Sequence, residues 1–274
     1  MLQQRRALLW LGAMVSSAPN GALAAPPLQP MTTVGPGVYR PLYPASPAKA
    51  SVSVPAFLLD TYPVTNEEYA RFIALHPMWR RNSPPRIFAD TSYLASWSSD
   101  DAPGPLLHRR APVVQISWFA ARAYCEARQA RLPTEYEWEL AAAASSTKRD
   151  AEGDKSWLDG IATWYAHPQR GALGEIGSRK ANAWGIHDLH GLIWEWVSDF
   201  NSTLVTGDTR EGSDGDKMKF CGAGALGASV TTDYVKFMRT AFRSSLRADF
   251  TTNLLGFRCA SDLPLLLKNT DKTP

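Results

Sequence analysis

The chain has 274 residues, 45% of them hydrophobic and 20% charged, which is material for one large packed domain or two small ones and excludes large-scale disorder. Its formal charge of +3 at pH 7 falls to +1 (3 − 2) once Arg5 and Arg6 are set aside. No net basic field then remains to recruit nucleic acid or anionic lipid. The chain shows no charge run, low-complexity tract or internal repeat.

In chain order, residues 1–24 read as an export signal. Arg5 and Arg6 precede the apolar ALLWLGAMV, a helix-breaking PNG follows, and Ala22-Leu23-Ala24 has the small-x-small pattern that signal peptidase accepts. About nine apolar residues cannot span a membrane core that needs about 20, so no stable span is expected. The adjacent arginines admit the twin-arginine route beside the Sec route, and either one leads to the periplasm. Residues 25–50, rich in Pro, Ala and Ser, read as an irregular lead-in without core. The main domain is expected over 51–265, with a tail at 266–274.

TNEEYARFIALH opens with Thr65 as N-cap and Glu68 three residues on, the spacing of a capping box, and sets Tyr69, Phe72 and Ile73 on one face. Residues 77–112 hold six prolines and no sustained period, so they read as a long surface excursion. Two more helices are expected, from about Trp118 to Gln129 and from Thr134, whose box closes at Glu137; Pro133 separates them. Beyond residue 151, Gly, Asp and Asn surround short apolar pieces such as LIWEWV and LGFRCA, which predicts short strands tied by turns rather than further long helices. The expected fold class is α+β, a single domain with little regular secondary structure.

Four ordered stretches, YPVTNEEYARF, PVVQISWFAARAYCEARQARLPTEYEWELAA, NAWGIHDLHGLIWEWVSDF and RSSLRADFTTNLLGFRCASD, together resemble the formylglycine-generating enzyme, or sulfatase-modifying factor, family. The resemblance runs from about residue 55 to 262. It implies that family's fold, related to C-type lectins, and a disulfide between Cys125 and Cys259. The family's active enzymes hold copper(I) with two cysteines that follow a Gly-Gly-Ser turn, because soft thiolates select that ion. The corresponding stretch here is FCGAGALGASVTTDYVKFMRTAF. Cys221 precedes the glycine turn, Gly224 stands in place of the serine, and no cysteine occurs from 222 to 258. Formylglycine-generating activity and copper are therefore not expected.

Two branches of the family resemble this departure: proteins encoded beside copper nitrite reductases, which DFNSTLVTGDTREG favours, and proteins that mature a siderophore. The first reading is an exported accessory or maturation protein assisting a periplasmic metalloenzyme, such as a copper nitrite reductase, or its cofactor. The second is an enzyme that modifies a small molecule or a protein side chain in the family's substrate groove. A residual copper oxidase built on Cys221 ranks third.

By the same resemblance, the family's calcium site falls on Asp188, the carbonyls of Gly191 and Ile193, and Glu195. Carboxylates and carbonyls suit a hard cation, and calcium would compensate a glutamate held between Trp194 and Trp196. The alternative is that Glu195 pairs with an arginine. The family's other calcium site, near ATWYAHPQRG, is not recognisable. His187 and His190 stand three apart without the further ligands zinc needs, so satisfied structural histidines are expected. Trp194, Cys221, Arg243 and Arg247 form the candidate pocket, where an arginine could bind an acidic ligand. Ion pairing of those arginines within the fold is the structural alternative.

Overall fold

The computed structural model describes residues 29–44, 50–105, 107–167, 171–201 and 231–264. The signal-like segment, the glycine turn with Cys221 and the residues after 264 lie outside them. The lead-in differs from expectation: it contributes strands β1 (Met31–Val34) and β2 (Gly37–Tyr39). Val34 and Tyr39 are both in the core, so two well-placed apolar side chains outweigh a composition that reads as linker. Strand β3 (Val52–Val54) pairs with β2. Strand β4 (Phe57–Asp60) lies at the centre of an antiparallel sheet, between β1 and β7 (Ala260–Asp262). Val34 stands opposite Phe57, and Phe57 opposite Asp262.

Helix α1 (Asn66–Leu75) starts where the capping box places it, with Glu68 accepting from Thr65 N at 2.9 Å. It buries Tyr69, Phe72 and Ile73 against Tyr124, Trp97 and Phe257. The proline-rich excursion is not confined to the surface. Trp79, Tyr93, Leu94 and Trp97 are buried, and the Tyr93 hydroxyl lies 2.6 Å from that of Tyr69 while donating to Trp79 O. Prolines break the backbone period there and leave the large apolar anchors free to fill the core.

Helix α2 (Trp118–Ala127), capped by Ser117, and α3 (Glu135–Ala142), with the Thr134/Glu137 box, match expectation. Two further helices correct it: α4 (Lys155–Ala166), capped by Asp154, and α5 (Thr231–Ser245). The short strands are also present: β5 (Trp194–Glu195) runs parallel to β6 (Leu255–Gly256). A disulfide joins Cys125 on α2 to Cys259 at the foot of β7, with Cα atoms 5.6 Å apart. Beside it, Arg128 clamps the fully buried Asp60 at 2.8 and 3.0 Å. Among the described residues no helix is long and apolar enough to cross a membrane.

Candidate functional site

Glu135, Trp138 and Glu139 share one face of α3, at i, i+3 and i+4; Arg239, Phe242 and Arg243 share one face of α5 at the same spacing. The two faces interlock. Arg239 reaches Glu139 at 2.6 and 2.8 Å, and Arg243 Nη1 reaches Glu139 at 2.6 Å and Glu135 at 3.3 Å. All four charged residues are buried. Burial alone would raise the Glu139 carboxyl, but the two guanidiniums outweigh it and hold it at about 2.

Trp194 lies beside this cluster in a sandwich of rings. Tyr165 stacks on it at 4.9 Å and 7°, Phe242 at 4.2 Å and 26°, and Trp164 leans in at 5.5 Å. The space left between these rings, Arg239 and Arg243 is about 10 Å³, room for a single water at most. Trp194 and Arg243 thus line the same small, filled space. Arg247 is not with them: its side chain is 79% exposed and pairs with Asp249. Cys221 lies outside the described residues.

Of the two readings of Glu195, the arginine pair is what forms. Its fully buried carboxylate takes Arg258 Nε and Nη2 at 2.8 Å each and the Trp138 indole N–H at 2.7 Å. Asp188 is different. It is buried with φ at +60°, Oδ2 accepts from Gly177 N, and Oδ1 has no partner among the described residues. A buried carboxylate oxygen with no donor suits a cation, and the carbonyls of Gly191 and Ile193 belong to the same loop. Gly191 has φ at +89°, a backbone conformation that favours glycine, and the Arg179 guanidinium lies against it. Asp188 thus presents one buried oxygen without a donor among the described residues, while the charge of Glu195 is already compensated by Arg258.

Both histidines have backbone partners. His187 Nδ1 lies 2.7 Å from Arg179 O, with its ring stacked on Tyr62, and His190 Nε2 lies 2.8 Å from Ala142 O. Among the described residues no three His, Cys, Asp or Glu side chains cluster to hold a metal. Glu139, Arg239, Tyr165 and Arg258 went unread in the sequence. The complementary i, i+4 pairs Glu135/Glu139 and Arg239/Arg243 were the available signal for the first two.

Residues 25–263 match the family described as the sulfatase-modifying factor enzyme 1-like domain, so this chain belongs to the formylglycine-generating-enzyme family. The match begins at residue 25, in keeping with the place of β1 and β2 in the fold. The formylglycine-generating enzyme of Mycobacterium tuberculosis is 28% identical, over 80% of this chain and 92% of its own length. A bovine (Bos taurus) relative described as an inactive Cα-formylglycine-generating enzyme 2 is 27% identical, over 77% and 78%. Among solved structures, PvdO from Pseudomonas aeruginosa aligns with a TM-score of 0.45 at 15% identity, covering 85% of this chain and 94% of that one.

Proposed function

We propose that this protein is an exported accessory or maturation protein that carries the fold of the family without generating formylglycine. The observation behind this reading is the cysteine inventory. The chain holds three cysteines, and the bond between Cys125 and Cys259 leaves Cys221 as a lone thiol where copper(I) wants a thiolate pair. The filled space between Trp194, Tyr165 and Phe242 supports the same conclusion, because it leaves no room among those rings for a peptide side chain. Export is supported by the signal-like start and by the disulfide, a bond that persists in oxidising compartments. The partner we infer is a periplasmic metalloenzyme such as a copper nitrite reductase, or its cofactor. Calcium would be held by Asp188 and the carbonyls of Gly191 and Ile193, beside Glu195, and would tie the loop that leads into β5.

The test incubates the protein with a sulfatase Cys-x-Pro-x-Arg peptide, copper(I), reductant and oxygen, and looks for the mass change from cysteine to formylglycine. No turnover is expected. Turnover that disappears in Cys221→Ser would replace this reading with that of a copper oxidase.

A further inference from the structure

Helix α1 turns one side outward, and opposite it lie Ala102–Pro105 and Arg109. Between them lies a cavity of about 650 Å³, within the roughly 300–1,000 Å³ of small-molecule sites. Its apolar walls are Ala70, Ala74 and Leu75 on the helix and Pro103, Gly104 and Pro105 across from it. Leu75 is a large apolar side chain left 52% exposed by the described residues.

The backbone fixes the walls relative to each other. Asn66 N donates to Ala111 O and Glu67 N to Arg109 O, each at 3.0 Å, and Asn66 Nδ2 reaches His108 O at 3.1 Å. These bonds strap the start of α1 to the far segment. At the other end Ala102 N donates to Ser99 Oγ at 3.1 Å. Gly104 sits at φ +75°, where a Cβ would come within 2.2 Å of Ser98 Oγ, so that turn is pressed against its neighbour. The flanking prolines restrict it further. An opening built this way is preformed, and the small side chains at 70 and 74 leave it wide.

Its charge is also specified. Three ionic side chains line it, Glu67, Arg71 and Arg109. Glu67 and Arg71 form an i, i+4 ion pair, while Arg109 has no ion pair among the described residues. The groove therefore carries one unbalanced positive charge (−1 + 2 = +1) at the edge of an apolar trough. We propose that it binds a small apolar carboxylate, an aliphatic or aromatic monoacid whose chain lies along Ala70, Ala74 and Leu75 and whose carboxylate meets the Arg109 guanidinium. A guanidinium matches a carboxylate in two parallel hydrogen bonds. A phosphate would bring more charge than one free arginine balances, and a neutral chain would leave that arginine without a partner.

Isothermal titration of the full mature chain with octanoate, and with 1-octanol as the neutral chain of equal length, tests this directly. Octanoate is expected to bind with one-to-one stoichiometry and octanol at least about tenfold more weakly, the value of a charge-assisted hydrogen bond. Arg109→Gln should weaken octanoate by about the same factor and leave octanol unchanged. Ala74→Trp, which places an indole in the groove from an exposed helix position, should abolish both. Thermal melts of the two variants, expected to match the wild type, show that the fold is intact. Equal affinity for octanoate and octanol would overturn the carboxylate assignment. No octanoate binding at millimolar concentration, or binding that survives Ala74→Trp, would overturn the site.

Discussion

His190 is held edge-on between two indoles, Trp138 at 5.9 Å and Trp157 at 5.7 Å. Its Nε2 faces a carbonyl and must donate, which leaves Nδ1 as the site of any second proton, and Nδ1 is buried with no partner among the described residues. Burial first, and the charge of Arg239 second, lower its pKa from 6.5 to about 4. Between these values the unfolded chain binds a proton that the folded protein refuses, so stability rises with pH across the window and is lost on acidification from 6.5 toward 4. The slope from this residue should approach about 1.4 kcal/mol per pH unit. His190→Gln keeps a donor for Ala142 O but cannot titrate, and urea midpoints measured across that window should flatten relative to wild type. Parallel curves for the two proteins would show that His190 is not the source. Asp188 makes the other single-residue prediction. A ligand that binds only the folded state at a hundredfold excess over its Kd stabilises it by about 2.7 kcal/mol, so calcium should raise the melting temperature and Asp188→Ala should remove most of the rise. Identical melting of the wild type in calcium and in chelator would leave Asp188 Oδ1 without a cation.

Between α3 and α5 the joint is ionic and aromatic rather than aliphatic. Two carboxylates and two guanidiniums are buried together, and the Trp138 ring lies under Arg243 at 4.9 Å. Such a cluster is unforgiving of partial loss. Glu139→Ala would strand Arg239 and should cost about 3–5 kcal/mol. Glu139→Met combined with Arg239→Met removes both charges, leaves Arg243 with Glu135, and should cost less than the single change. Denaturant titration of the wild type and the two variants decides it; a double variant less stable than Glu139→Ala would mean that a stranded Arg239 is not what the single change costs. Acid should have a related effect, because the stability Glu139 contributes above its ordinary pKa of 4.5 is lost as pH falls toward about 2. This joint also marks where sequence reading stops. Helices α1 and α3 were legible because a capping box is local, four residues closing on themselves. Helix α5 was not, since what holds it is a pair of glutamates about a hundred residues earlier. Helix α4 was hidden by Gly160 and by the polar residues around it; its stability comes from covering Trp194 and from Leu158 and Ile161 packing with Val235. For the same reason the sequence could place Trp194 and Arg243 together without showing that Tyr165 and Phe242 stack on that indole.

Over the whole molecule, distant pieces of chain are joined at one place, the junction of α2 with the β1-β4-β7 sheet. Cys259 precedes β7, Cys125 sits in α2, and the bond between them spans 134 positions of sequence. Closing a loop of that size removes chain entropy from the unfolded state worth about 4–5 kcal/mol, an upper figure in this model of disulfide action. The folded state does not depend on the bond alone. Asp60 on β4 accepts from Cys259 N at 2.9 Å and from Arg128 at 2.8 Å, so helix and sheet remain clamped when the sulfurs are absent. The double variant Cys125→Ser, Cys259→Ser should therefore fold to the same structure with a markedly lower urea midpoint. Its dependence on denaturant should steepen, because an uncrosslinked chain exposes more surface on unfolding. Both sulfurs are fully buried, so a reductant should leave the native protein intact and attack only once urea has opened it. A non-reducing digest should yield the joined peptides by mass. If the double variant has the wild-type midpoint, the chain is held at this junction by Asp60 and Arg128, and the disulfide contributes nothing to its stability.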